Sequence, residues 1–160
     1  MITLVLGGAR SGKSAIAEAL AGELGDDVVY LATAVVTDSE FAARVDRHRE
    51  RRPATWSTDE CGAALPAALR RHAGRPVLVD SIGAWVAATP DFKVDLTALV
   101  EALSLRTAAT VLVAEEAGLG VHPESEVGRR WRDAVGETNQ ALALAADAVV
   151  FVLAGRVMRL

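Results

Sequence analysis

Residues 7–14 read GGARSGKS, which matches the phosphate-loop pattern G-x-x-x-x-G-K-[ST]. Gly7 and Gly12 permit backbone turns that a side chain would block. The amides of Gly8, Ala9, Arg10 and Ser11 can then converge on phosphate oxygens, assisted by the N-terminus of the following helix. Lys13 adds a mobile positive charge near the transferred phosphate, and Ser14 offers a hydroxyl to Mg²⁺. The chemistry implied is nucleotide binding with phosphoryl transfer. Such a loop needs a second metal ligand. Asp80, the last residue of VLVD, is the natural one, an acid at the tip of a buried strand. A turn or helix-cap aspartate is the alternative reading. Glu115 and Glu116 end another apolar run and compete for the role.

Three histidines are present. His48 lies in RVDRHRERR. With Phe41 at zero on a helical wheel, Val45 falls at about 40° and His48 at about −20°. His48 therefore shares an apolar, inward stripe, and geometry alone favours a satisfied core histidine. An imidazole nitrogen can nonetheless attack phosphorus at neutral pH, and nearby arginines can hold phosphates. His72, in RRHAG, reads as a cation at a helix C-terminus. His122 lies in the loop GLGVHP. Trp56, Trp85 and Trp131 read as packing residues. Arg129, Arg130 and Arg132 read as a solvated helix face. Nothing resembles the Asn-Lys-x-Asp guanine reader of regulatory GTPases.

The elements that must position these groups alternate between strand and helix. Residues 2–6 (ITLVL), 28–32 (VVYLA), 77–80 (VLVD) and 110–114 (TVLVA) are short apolar runs typical of buried strands. Helices are expected over 13–24, 38–51, 95–107 and 124–145, with an Ala-rich helix before residue 77. The segment VVFVLAGRVMRL reads as two strands turning at Ala154-Gly155. Continuous apolar strands between helices imply an α/β fold of the phosphate-loop NTPase kind: a mostly parallel sheet, covered on both faces, with a C-terminal strand hairpin. Ligands in such sheets sit at the carboxyl ends of the strands, just after residues 6, 32, 80 and 114.

Bulk properties agree. The 160 residues suit one domain, 1–160, and 51% are hydrophobic, which excludes a disordered chain. The net charge of −4 with mixed signs argues against a nucleic-acid binder. The single cysteine, Cys61, allows no internal disulfide and fits a reducing, cytoplasmic compartment. MITLVLGG lacks a basic n-region and runs into the glycine loop, so it reads as a strand rather than a signal peptide. No apolar run reaches membrane-spanning length.

These blocks resemble one family nearly end to end: adenosylcobinamide kinase/adenosylcobinamide-phosphate guanylyltransferase. GGARSGKS resembles its phosphate loop, including Ala9 and Arg10. YLATA at 30–34 resembles its second strand and following loop. Glu40, Arg44, His48, Arg49, Arg52, Pro53, Trp56, Thr58 and Glu60 stand at family spacing. VLVD with Trp85, GLGVHP at 118–123, and R-x-W-R-D-x-x-G-x-x-N-Q at 129–140 complete the match. The resemblance implies phosphorylation of adenosylcobinamide by ATP or GTP. It then implies transfer of GMP from GTP to that phosphate, with release of pyrophosphate, through a GMP-histidine at His48. It places nucleotide contacts on Gly7–Ser14, on Ala32, Thr33 and Ala34, on Arg49, Glu50, Arg51 and Arg52, and on Glu60 and Asp80. It also implies a homotrimer with the histidine helix near a subunit boundary. The chain departs from the family at Glu115-Glu116-Ala117-Gly118, usually Asn-Glu-Val-Gly, and at SIGAW after Asp80, usually a Cys-Leu-Thr-containing stretch. The segment between 88 and 110 is short for the family. A plain small-molecule kinase and a non-catalytic nucleotide-binding regulator are the competing readings.

Overall fold

The computed structural model describes residues 1–34 and 52–160. A seven-stranded sheet forms the frame, in the order β3-β2-β4-β5-β1-β6-β7. Its strands are β1 (Ile2–Gly7), β2 (Val29–Ala32), β3 (Ser57–Glu60), β4 (Val77–Asp80), β5 (Thr110–Glu115), β6 (Ala148–Leu153) and β7 (Arg156–Arg159). Every neighbouring pair runs parallel except β6 and β7, which are antiparallel across the turn at Ala154-Gly155. Five helices accompany them among the described residues: α1 (Lys13–Gly22), α2 (Leu65–Arg71), α3 (Ile82–Ala88), α4 (Leu96–Ser104) and α5 (Glu126–Ala145).

Strand alternation divides the core in two. Leu4, Leu6, Leu31, Val79 and Leu112 face α2, α3, α4 and α5, where Leu65, Leu69, Trp85, Leu99, Leu103 and Leu142 meet them. Val5, Tyr30, Leu78, Val113 and Val152 face the other way, onto Ala17 and Ala21 of α1. Small residues on α1 let the helix that follows the phosphate loop lie close to the sheet. The parallel α/β architecture and the C-terminal hairpin expected from the apolar pattern are therefore present. The helix expected over 38–51 lies outside the described residues.

Two elements depart from that pattern. β3 reads STDE and is an edge strand with mostly exposed residues, so it shows no apolar alternation. α3 has only seven residues and begins at Ile82, one residue beyond the end of β4 at Asp80. It is too short to display helical periodicity, and its start is fixed by the Ser81 side chain, which accepts from the Ala84 amide at 3.3 Å.

Candidate nucleotide-binding site

The phosphate loop joins β1 to α1. Gly12 takes φ 94°, a left-handed conformation that side chains resist, and caps α1 by accepting from the Ile16 amide at 3.1 Å. The Ser11 amide donates to the Gly8 carbonyl at 3.3 Å, closing the loop on itself. The Lys13 ammonium lies back over the loop, 3.3 Å from the same carbonyl. From the far side, the Gly155 amide of the β6–β7 turn donates to the Ser11 carbonyl at 2.8 Å.

Gly7 is required by space rather than by its dihedral angles. A Cβ there would stand 2.5 Å from Ser11 Oγ and 2.8 Å from the Val152 carbonyl oxygen. The second contact is backbone of a buried strand and cannot yield cheaply. Gly7→Ala should strain the loop by about 1–3 kcal/mol, and if that strain falls on the nucleotide-bound shape, GTP affinity drops by roughly 5- to 150-fold. A fluorescence titration giving wild-type affinity would show that the loop tolerates another shape.

The register brings the remaining candidates to the same edge of the sheet. Ala32 pairs with Asp80 on one side and with Glu60 on the other, and Gly7 pairs with Glu115. Asp80 accepts from the Tyr30 hydroxyl at 2.9 Å. Burial, with the neighbouring Asp80 charge, pushes the Tyr30 phenol well above its ordinary pKa, so it remains a donor. The Arg52 guanidinium stacks 3.5 Å from the Tyr30 ring centroid and donates to Thr58 Oγ1 at 3.2 Å. Thr33 is fully buried, and its hydroxyl donates to the Ser81 carbonyl at 2.6 Å and accepts from the Ser81 amide at 2.9 Å. Tyr30 and Ser81 were not singled out by the sequence; one reads as strand filler and the other as an unremarkable turn residue.

Ser14 and Asp80 supply only oxygen, the donor type Mg²⁺ selects. Among the described residues no cluster of three or more His, Cys, Asp or Glu forms a cage. That donor set suits a cation completed by phosphate oxygens and water. The rival acids are engaged elsewhere: Glu115 accepts from Ser81 Oγ at 2.8 Å and from the Gly83 amide at 2.9 Å, and Glu116 accepts from the Gly118 amide at 2.8 Å.

His48, Arg49, Glu50 and Arg51 lie outside the described residues. His72 ends α2 and is not turned to solvent: its Nε2 stands 2.8 Å from Asp59 Oδ2 on β3. His122 Nδ1 is 2.7 Å from Arg132. Arg129 donates to the Pro123 and Glu124 carbonyls, and Arg130 to the Asp91 carbonyl, so these arginines tie loops to α5 rather than only facing water. Trp85 and Trp131 pack in the core and donate to the Ala63 and Gly83 carbonyls, and Trp56 packs under α1.

The family model for cobinamide kinase / cobinamide phosphate guanyltransferase matches residues 3–160. The chain belongs to this family. Cobinamide kinase / guanyltransferase membership is seconded by curated relatives. The bifunctional adenosylcobalamin biosynthesis protein CobP of Pseudomonas aeruginosa is 44% identical over 168 residues, covering 100% of this chain and 97% of that protein. The corresponding CobU protein of Salmonella typhimurium is 36% identical, covering 97% of each. In fold, the chain is similar to an ATPase of the type III secretion system (TM-score 0.52, 12% identity), covering 94% of this chain and 50% of that longer one. A phosphate-loop NTPase frame thus carries a cobinamide kinase / guanyltransferase sequence.

Proposed function

We propose that this transferase phosphorylates the aminopropanol hydroxyl of adenosylcobinamide with ATP or GTP, and then transfers GMP from GTP to that phosphate. The reading is carried by the shared edge of the sheet. The phosphate loop, Asp80 and Glu60 lie along it, and Arg52 stacks on Tyr30, which donates to Asp80. His48 is four residues from Arg52, so the covalent chain alone keeps their Cα atoms within about 14 Å.

In the kinase step the loop amides and Lys13 hold the β- and γ-phosphates, and the substrate hydroxyl displaces the nucleoside diphosphate at the γ-phosphorus. In the second step a His48 nitrogen attacks the α-phosphorus of GTP, forming a phosphorus–nitrogen bond as pyrophosphate leaves. An oxygen of the corrinoid phosphate then attacks the same phosphorus and the imidazole departs, giving adenosylcobinamide-GDP. Ala32–Ala34, Arg49–Arg52 and Glu60 contribute nucleotide contacts. Ser14 and Asp80 would hold Mg²⁺, which supplies neutralisation of phosphate charge when bound.

The experiment is incubation with α-labelled GTP followed by denaturing electrophoresis. Label that stays with the chain supports the covalent route; turnover of both reactions with no trapped label would leave a direct-transfer enzyme.

The family resemblance further supports a cytoplasmic homotrimer with the histidine segment at a subunit boundary. A second copy would also cover apolar surface such as Val157 and Met158 on the β7 edge. Light scattering at micromolar concentration is expected to give a trimer mass, and a strict monomer would remove this part of the reading.

A further inference from the structure

Glu115 and the stretch SIGAW that follows Asp80 meet in the structure. Glu115 ends β5, the strand between the phosphate-loop strand β1 and the Asp80 strand β4. Its two carboxylate oxygens are divided between two donors on the segment that follows Asp80: Oε1 takes the Ser81 hydroxyl at 2.8 Å, and Oε2 takes the Gly83 amide at 2.9 Å. Gly83 makes room for this. A Cβ at Gly83 would stand 2.2 Å from Glu115 Oε2 and 3.1 Å from Trp131 Cζ2, so carboxylate and side chain cannot occupy the place together. Behind Glu115, the buried Asn139 side chain donates to its carbonyl at 2.9 Å and holds the strand tip. On the opposite flank, Thr33, just past the end of β2, grips Ser81 through both its amide and its carbonyl.

We propose that Glu115 is a positioning residue that, through Ser81 and Gly83, fixes the direction in which Asp80 presents its carboxylate at the phosphate loop. Asp80 and Ser81 share a peptide bond, so a rotation of the Ser81 anchor is passed to Asp80. The two flanking strand tips clamp that anchor from either side. The extra acid is thus a brace and not a third metal ligand. With the Glu115 carboxylate in this place, position 83 needs glycine. This inference rests on Asp80 holding the cation.

The test measures binding without turnover: Mn²⁺ affinity by electron paramagnetic resonance, in the presence of a non-hydrolysable GTP analogue. Glu115→Gln keeps the side-chain volume but leaves one acceptor oxygen for two donors. Gly83→Ala displaces the carboxylate while leaving Asp80 and Ser14 in place. Each is expected to weaken Mn²⁺ by roughly tenfold, the low end for outer-shell partners of a metal site. Metal-free analogue affinity should stay at the wild-type value, which a merely structural role would not predict. Combining them should cost little more than either alone, because both remove the same contact. Asp80→Asn is the control. If it weakens Mn²⁺ while Glu115→Gln and Gly83→Ala do not, the brace is wrong and the Asp80 reading stands. If Asp80→Asn has no effect, both fall.

Discussion

His48→Asn is expected to bind GTP with near wild-type affinity and to take up no GMP label. The guanylyl transfer should fall by several orders of magnitude, as it does when a covalent nucleophile is lost, while kinase turnover survives. An asparagine amide has the size and polarity of an imidazole but no basic nitrogen to attack the α-phosphorus. The attacking nitrogen must be unprotonated, so wild-type labelling should weaken as pH falls below roughly 6.5, the ordinary histidine value. Close arginines would lower that value and extend labelling to more acid pH, because they disfavour the charged ring. His72→Asn and His122→Asn should label normally, one ring being bound to Asp59 and the other to Arg132. The adduct should be acid-labile and stable to base, as expected of a phosphoramidate. Label persisting in His48→Asn, or an acid-stable adduct in the wild type, would overturn the nucleophile. Loss of kinase turnover in the same variant would show that the two reactions share more than the phosphate loop.

Lys13→Ala should reduce both reactions by about 10²–10³-fold, the usual effect of removing one preorganised electrostatic group. The side chain makes one hydrogen bond to the loop, to the Gly8 carbonyl at 3.3 Å, and α1 is capped by Gly12 without it. Thermal stability should therefore change by less than about 0.5 kcal/mol. A variant with unchanged turnover would remove the phosphate loop from the mechanism. A variant that unfolds at much lower temperature would assign Lys13 to structure instead.

The frame was legible in the sequence where burial and spacing coincide. β1, β4 and β5 are buried almost throughout and read as apolar runs. The glycine loop has its own grammar because phosphate contact demands backbone amides. Asp80 stood out as a candidate because an acid closing a buried apolar run is unusual there. What could not be read depends on contacts between distant residues. β3 has no apolar code, since an edge strand of STDE answers to its partner β2 and to Arg52, Arg71 and Arg75. Nothing in the sequence of SIGAW shows that Ser81 is held by Thr33, just past β2, and by Glu115 at the end of β5. One dimension likewise cannot show that both carboxylate oxygens of Glu115 accept from the segment after Asp80.

The bond from Gly155 to Ser11 has a consequence for the order in which the molecule can be completed. The phosphate loop follows β1, yet β1 lies between β5 and β6, both synthesised much later than β1. Its last brace comes from the turn beyond β6. On the ribosome, a nascent chain therefore carries every residue of the loop long before this brace on it can form. The loop's contact with the hairpin can form only after β6 and β7 have been made.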